Sequence, residues 1–243
     1  MTELVRATGA IGLLSDDRHG PLPALLLVLA LISGLVDAVG FIKLGHVFVA
    51  NMTGNVAFLG LAVADTQSFS IPASLSAVAA FFLGALVGGR LGASAGHHRG
   101  RHLALAIYAE IALFIAALVV ATIASDTVGI FVQYALIVLL ASAMGLQGAT
   151  ARRLGVPDLT TTVLTTTLTG LAADSRLAGG TNSNAGRRML AIFTMFLGAA
   201  IGAAAVLHAG IGAALALVLA LLVLNGIAAY RASSSQDAWT VGT

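Results

Sequence analysis

Apolar runs without a polar face constrain this chain more than any other feature. The stretch from Leu103 to Ala121 is apolar on every side of a helix, with Glu110 its one charged residue. A helix on the surface of an aqueous fold needs a polar face, so runs near the ~20 residues that cross a ~30 Å hydrocarbon core take the bilayer as their solvent. Hydrophobic residues make up 58% of the chain and charged residues 9%. A transmembrane barrel would show ~10-residue segments alternating apolar and polar, a pattern these runs lack. The expected fold class is therefore all-α, a polytopic transmembrane helical bundle.

Eight apolar segments can be marked, at about 21–43, 47–64, 71–92, 102–124, 128–150, 157–173, 189–207 and 211–230. The first is longer than a signal-peptide core and carries Asp37, so it reads as a retained helix. The second and sixth are shorter and broken by polar residues, Asn51-Met52-Thr53-Gly54-Asn55 in one and Thr160-Thr161-Thr162 with Thr165-Thr166-Thr167 in the other. All four prolines, Pro21, Pro23, Pro72 and Pro157, sit at segment edges, where a missing N–H costs little.

The two halves can be laid over one another. Gly34-Leu35-Val36-Asp37-Ala38 matches Gly145-Leu146-Gln147-Gly148-Ala149, and the stretch from Leu44-Gly45 runs ungapped onto that from Leu154-Gly155. Phe82-Leu83-Gly84-Ala85-Leu86-Val87-Gly88 matches Phe196-Leu197-Gly198-Ala199-Ala200-Ile201-Gly202. Three collinear matches predict duplication of a four-segment unit. The expected organisation is a polar tail over 1–20, repeats over 21–125 and 126–230 that divide near Ser125 to Thr127, and a polar tail over 231–243.

Charge discriminates between topologies. If all eight segments cross, the 11 arginines and single lysine divide six to six between the two sides, and the positive-inside rule has nothing to act on. If the second and sixth are short re-entrant segments, six spans remain, every arginine falls on one face, and Lys43 alone lies on the other. Three crossings per repeat then invert the second half relative to the first, with both termini cytoplasmic. Broken segments from inverted repeats commonly build transporter sites, because irregular backbone at membrane depth is tolerated only inside protein or along a cavity.

The candidate substrate or ion ligands follow from that plan. Asn51, Thr53 and Asn55 supply amide and hydroxyl groups where Gly54 lets the backbone bend. Thr161 and Thr165 occupy the matching positions, and Gln147 and Asp37 are the polar residues at the matched helix ends. Asp37 serves either as a buried functional acid or as an acceptor for Lys43 or a helix terminus. For Glu110, snorkelling or pairing with Arg101 is expected. Asn and Thr can equally act as glue between helices, and a Thr can bond to its own helix. The Gly84, Gly88, Gly92 and Gly198, Gly202 strips predict close packing between the halves, and they are also compatible with a homo-oligomer.

The chain has no cysteine, and no nucleophile elbow, phosphate loop or metalloprotease helix is present. No enzyme activity, cofactor, metal or nucleic-acid partner is expected. His97, His98 and His102 read with Arg99 and Arg101 as a topology signal. The partners expected are membrane lipid and an unknown small solute or ion. The Gly-Leu-x-Asp-Ala end of the first span, the Asn-Met-Thr-Gly-Asn segment and the Gly145-Leu146-Gln147 stretch together resemble the YoaK-type family of bacterial multi-pass membrane proteins. The resemblance covers about 21–230 and implies a bacterial inner-membrane protein whose family is a domain of unknown function. The family's pattern often places Asn after the Gln, where this chain has Gly148. The architecture predicts a transporter- or channel-like protein for a small polar solute or ion. A non-transporting membrane scaffold and an intramembrane lipid enzyme are the alternatives.

Overall fold

The computed structural model describes residues 14–15, 18–64, 69–94, 98–123, 129–157, 159, 164–181 and 184–241. The helices are α1 (Leu22–Lys43), α2 (Met52–Val63), α3 (Ile71–Ser94), α4 (Arg99–Ile123), α5 (Ile130–Leu154), α6 (Leu164–Ala173) and α7 (Ala185–Ser233). Five of these, α1, α3, α4, α5 and α7, are long and apolar enough to cross a membrane. α7 runs for 49 residues, but Gly210 (φ 85°, ψ 176°) divides it into two limbs. Its two limbs match the expected segments at 189–207 and 211–230. α2 has 12 residues and α6 has 10, about 18 and 15 Å of helix, half of what a hydrocarbon core demands. The expected extent 47–64 is longer than α2 because residues 47–51 are not helical, while of the expected extent 157–173 residues 158 and 160–163 lie outside the described residues. The expected division between the halves at Ser125 to Thr127 lies outside the described residues.

The bundle turns large apolar side chains outward, as lipid requires, and holds a few polar ones within an apolar core. Phe82, Phe131, Phe193, Phe196 and Leu224 are exposed, while Ser33, Asp37, Glu110, Gln147 and Asn225 are buried. Because lipid tails are as apolar as Leu, burying Leu against Leu gives little drive for helix association, and close backbone packing must supply it. The glycine strips do this. α1 packs against α7, and α3 against α5. A Cβ at Gly198 would lie 2.0 Å from the Leu31 carbonyl oxygen, and one at Gly84 would lie 2.0 Å from that of Ser142. A Cβ at Gly34 would lie 2.2 Å from the Met195 oxygen, and one at Gly145 would lie 2.0 Å from that of Phe81. Gly202 meets Leu35 and Gly88 meets Leu146 in the same way. Each of these glycine contacts in one crossing has its counterpart in the other at the residues that the sequence match, or its continuation by a few residues, pairs, and in both cases the partner helix belongs to the other half. α1 and α5 also end alike, on Gly45 (φ 89°) and Gly155 (φ 61°), left-handed positions that favour glycine.

The ends of the helices meet in two groups. At one end Arg99 donates to the carbonyls of Arg18, before α1, of Trp239, after α7, and of Leu154, which closes α5. Gly92, near the end of α3, lies against Arg153 and His102 at this same end. The C-terminal tail docks here too, with Trp239 stacked over Gly20 and His98 Nε2 3.1 Å from the Ser235 oxygen. We call this the tail end. At the opposite, far end, Gln133 of α5 donates to the Leu44 carbonyl at 3.0 Å. α1 and α5 are thus antiparallel. α1 finishes at the far end, and α3, which ends at the tail end, begins at the far end. α5 finishes at the tail end, and α7, parallel to α1 through the 198-to-31 and 202-to-35 contacts, begins there.

The crossings yield an opposite-sign prediction for glycine substitutions. Gly84→Ala and Gly198→Ala are each expected to destabilise by about 1–3 kcal/mol through overpacking. Gly89→Ala, where nothing lies within 4 Å of an added Cβ, should stabilise by about 0.5–1 kcal/mol through helix propensity. Thermal unfolding of the purified variants in detergent checks this, and equal responses at the three positions would contradict the crossings.

Candidate functional site

The chain between α1 and α2 must turn and run irregularly inside a bundle, where each unpaired N–H or C=O is costly. Gly45 and His46, both at positive φ (89° and 56°), make the turn. The Asp37 carboxylate then receives the returning strand: its Oδ1 accepts from the Val49 N–H at 2.8 Å and from the Ala50 N–H at 2.7 Å. These are the groups just ahead of the α2 N-terminus, so Asp37 places a carboxylate at the positive end of the helix dipole. Asn55, fully buried on α2, closes the same loop. Its Oδ1 accepts from the Phe48 N–H at 2.9 Å, and its Nδ2 donates to the Phe48 carbonyl at 2.6 Å and lies 3.5 Å from Met52 Sδ. A Cβ at Gly54 would meet the Phe48 ring at 2.6 Å. Of the two roles the sequence left open for Asp37, the structure displays the helix-terminus acceptor.

Aromatic rings cover this loop. Phe41, Phe48, Phe58 and Phe69 form a continuous stack, with centroids 5.4 Å apart for the first pair, 5.5 Å for the second and 4.4 Å for the third. His46 meets Phe41 edge-on at 5.1 Å. Sequence reasoning passed over this cluster, although its signal was legible: four of the chain's ten phenylalanines fall within one stretch around the polar motif.

The other candidate residues are dispersed. Asn51 is half-buried at the N-cap of α2, without a side-chain capping bond, and Thr53 is exposed. Thr165 is exposed on α6, its carbonyl accepting from Thr169 at 2.8 Å, and Thr161 lies outside the described residues. The Asp174–Arg188 ion pair at 2.7 Å ties the chain just after α6 to the start of α7. Gly148 stands where the first half has Asp37, so the second half has no matching carboxylate. Gln147 is buried in the middle of the bundle, donating to the Leu29 carbonyl at 3.2 Å and to Ser33 Oγ at 2.8 Å, where it joins α5 to α1.

Glu110 corrects an expectation. It neither snorkels nor pairs with Arg101: it is fully buried, and no described protein group hydrogen-bonds to either carboxylate oxygen. Its place on the inward face of α4, among Leu103, Ile107 and Phe114, points it into the bundle and away from the interface. A cavity of about 380 Å³ lies between α3, α4 and α5, lined by apolar groups such as Leu83, Val87 and Leu113 with Ser142 at one side. Its lining suits an alkyl group better than a polar solute.

A family model described as a protein of unknown function (DUF1275) matches residues 25–228. The UPF0700 transmembrane protein YoaK of Bacillus subtilis (strain 168) is 35% identical over 150 residues, which cover 62% of this chain. The match spans 65% of that relative's length, a little under two thirds. No solved structure matches.

The loop geometry sets an order of sensitivity. Asp37→Ala and Asn55→Ala each leave buried backbone groups unpaired, so each is expected to cost about 2–4 kcal/mol. Thr53→Ala, at an exposed position, should stay within about 0.5 kcal/mol. Thermal unfolding in detergent separates the two classes, and a harmless Asp37→Ala would refute the pinning role.

Proposed function

The chain belongs to the DUF1275 family of proteins of unknown function, and from that premise we propose a transporter-like membrane protein with six spans and two re-entrant segments in inverted repeats. Its cargo on this reading is a small polar solute or ion, and its action is non-enzymatic. One observation carries the reading: α1 and α5, which open the two halves, are antiparallel, held so by Gln133 on the Leu44 carbonyl and Gln147 on Ser33. Duplicated units facing opposite ways need an odd number of crossings between them. α1, α3 and α4 supply three, provided the segment carrying α2 leaves and returns at the far end.

Charge supports the same arrangement. Arg18, Arg99, Arg152, Arg153, Arg187, Arg188 and Arg231 all lie toward the tail end, and Lys43 closes α1 at the other. The positive-inside rule then puts the tail end, with both termini, on the cytoplasmic side of a bacterial inner membrane. Short helices entering from opposite ends, of which α2 is led in by irregular backbone, are the elements from which alternating-access sites are built. Asp37 and Asn55 are engaged with the loop backbone, so the hydroxyl-bearing surface of α6, with Thr165 exposed, carries the polar contacts to the solute. That same engagement favours a second reading, a membrane scaffold in which the polar residues only hold the broken segment together.

The chain has no native cysteine, so single probes can be read without background. Ala64→Cys is expected to label from the periplasmic side and Ser94→Cys from the cytoplasmic side, and a reversal of the two would overturn this topology. In liposomes, the purified protein should raise flux of at least one small polar solute or ion several-fold over protein-free vesicles. Correct topology without flux across a broad panel would leave the scaffold reading in its place.

A further inference from the structure

α4 packs against α5 and α7, and near its middle it buries Glu110 completely. The contrast with Asp37 is sharp, since backbone N–H groups converge on Asp37 whereas no described protein donor reaches either Glu110 oxygen. Other buried polar side chains stand near this level of the bundle. His102 and Arg153 meet over Gly92, which makes them level with one another. Glu110 lies eight residues, about 12 Å, along α4 from His102, and Gln147 lies six residues, about 9 Å, back along α5 from Arg153. Gly226 of α7 packs against Ile107 and Ile111, which bracket Glu110, so Asn225 belongs to this level too. Asn225 is buried, donates to the Leu25 carbonyl at 3.2 Å, and its Oδ1 has no described protein partner. Glu110 and Asn225 thus form a polar layer in a core that is otherwise mostly apolar, and the Gln147–Ser33 pair lies about one turn (~6 Å) further along α1 than the Leu25 carbonyl that Asn225 meets.

An ionised carboxylate in such a layer is expensive unless a positive charge accompanies it. Among the described residues, none is supplied at this depth. On α4, His102 lies about two turns away and Tyr108 faces outward. Arg152 and Arg153 of α5, Arg90 of α3, and Arg187, Arg188, Tyr230 and Arg231 of α7 lie toward the tail end. Tyr134 of α5, His208 of α7 and Asp37 of α1 lie toward the far end. We propose that this layer is a binding site for one small monovalent cation, a proton or an alkali-metal ion, with Glu110 as its anionic ligand and Asn225 Oδ1 as the neutral oxygen at the same level. The site stands independently of solute movement: occupancy without flux would count against the transport reading alone.

The test uses the whole protein in detergent micelles. Dicyclohexylcarbodiimide attacks protonated carboxyl groups in apolar surroundings, and peptide mass mapping locates its adduct. The expected result is modification at Glu110 and none at Asp37. Modification that persists in excess sodium or potassium identifies the occupant as a proton, and suppression by either ion several-fold identifies an alkali cation. In parallel, the wild-type Tm should rise by about 2–4 °C on mild acidification or on replacing choline by sodium or potassium, and Glu110→Gln should lose most of that response. An unmodified Glu110, together with equal Tm responses of wild type and Glu110→Gln, would overturn the site.

Discussion

Backbone approach at two glycine crossings is the contact on which the bundle depends. Where Gly34 and Gly198 bring α1 onto α7, and where Gly84 and Gly145 bring α3 onto α5, an added Cβ would lie within about 2 Å of a carbonyl oxygen. Only a residue without a side chain permits it. Dispersion and weak contacts grow steeply as helices close, and they replace the hydrophobic drive that lipid withholds. Each crossing joins a helix of one half to a helix of the other, so neither half has a complete core of its own.

That interlock leaves room for irregular backbone at depth, provided the freed groups are met. The first half meets them with side chains. Asp37 takes the N–H groups ahead of α2, Asn55 takes both polar groups of Phe48, and the phenylalanine stack covers the assembly. The second half ties its short helix differently, through Asp174 and Arg188 beyond its C-terminal end. Gly148 stands in place of a counterpart to Asp37, so the second half has no carboxylate at that position.

The polar residues of the chain divide by how they are satisfied. In the broken segment, which looks most like a ligand set in sequence, Asn55 is bonded to backbone, and so is Asp37 beside it. Glu110, whose position suggested a surface partner, sits inside the bundle near the level of Asn225. Spacing along a helix gives depth but not azimuth. Glu110 lies about two turns from Arg101, and a long side chain can span that only if both residues face the same way. The buried face of α4, set by Leu103, Ile107 and Phe114, turns Glu110 inward while Arg101 is exposed.

By itself, the sequence determined that the chain is helical and membrane-embedded, because runs apolar on all faces have no other stable environment. It also determined which glycines correspond between the halves, because close packing tolerates no substitute there and leaves the match readable. The weakness of the second and sixth segments was legible for a related reason, since too few apolar residues separate their polar groups to span lipid. Only the tertiary structure decided which helices cross and which polar atoms are spent. Whether Asn55 meets a ligand or the Phe48 peptide, and whether Glu110 meets Arg101 or the bundle centre, depends on groups distant in sequence. Hydrogen bonding is set by direction and distance in space, and residue type and spacing along the chain leave both open.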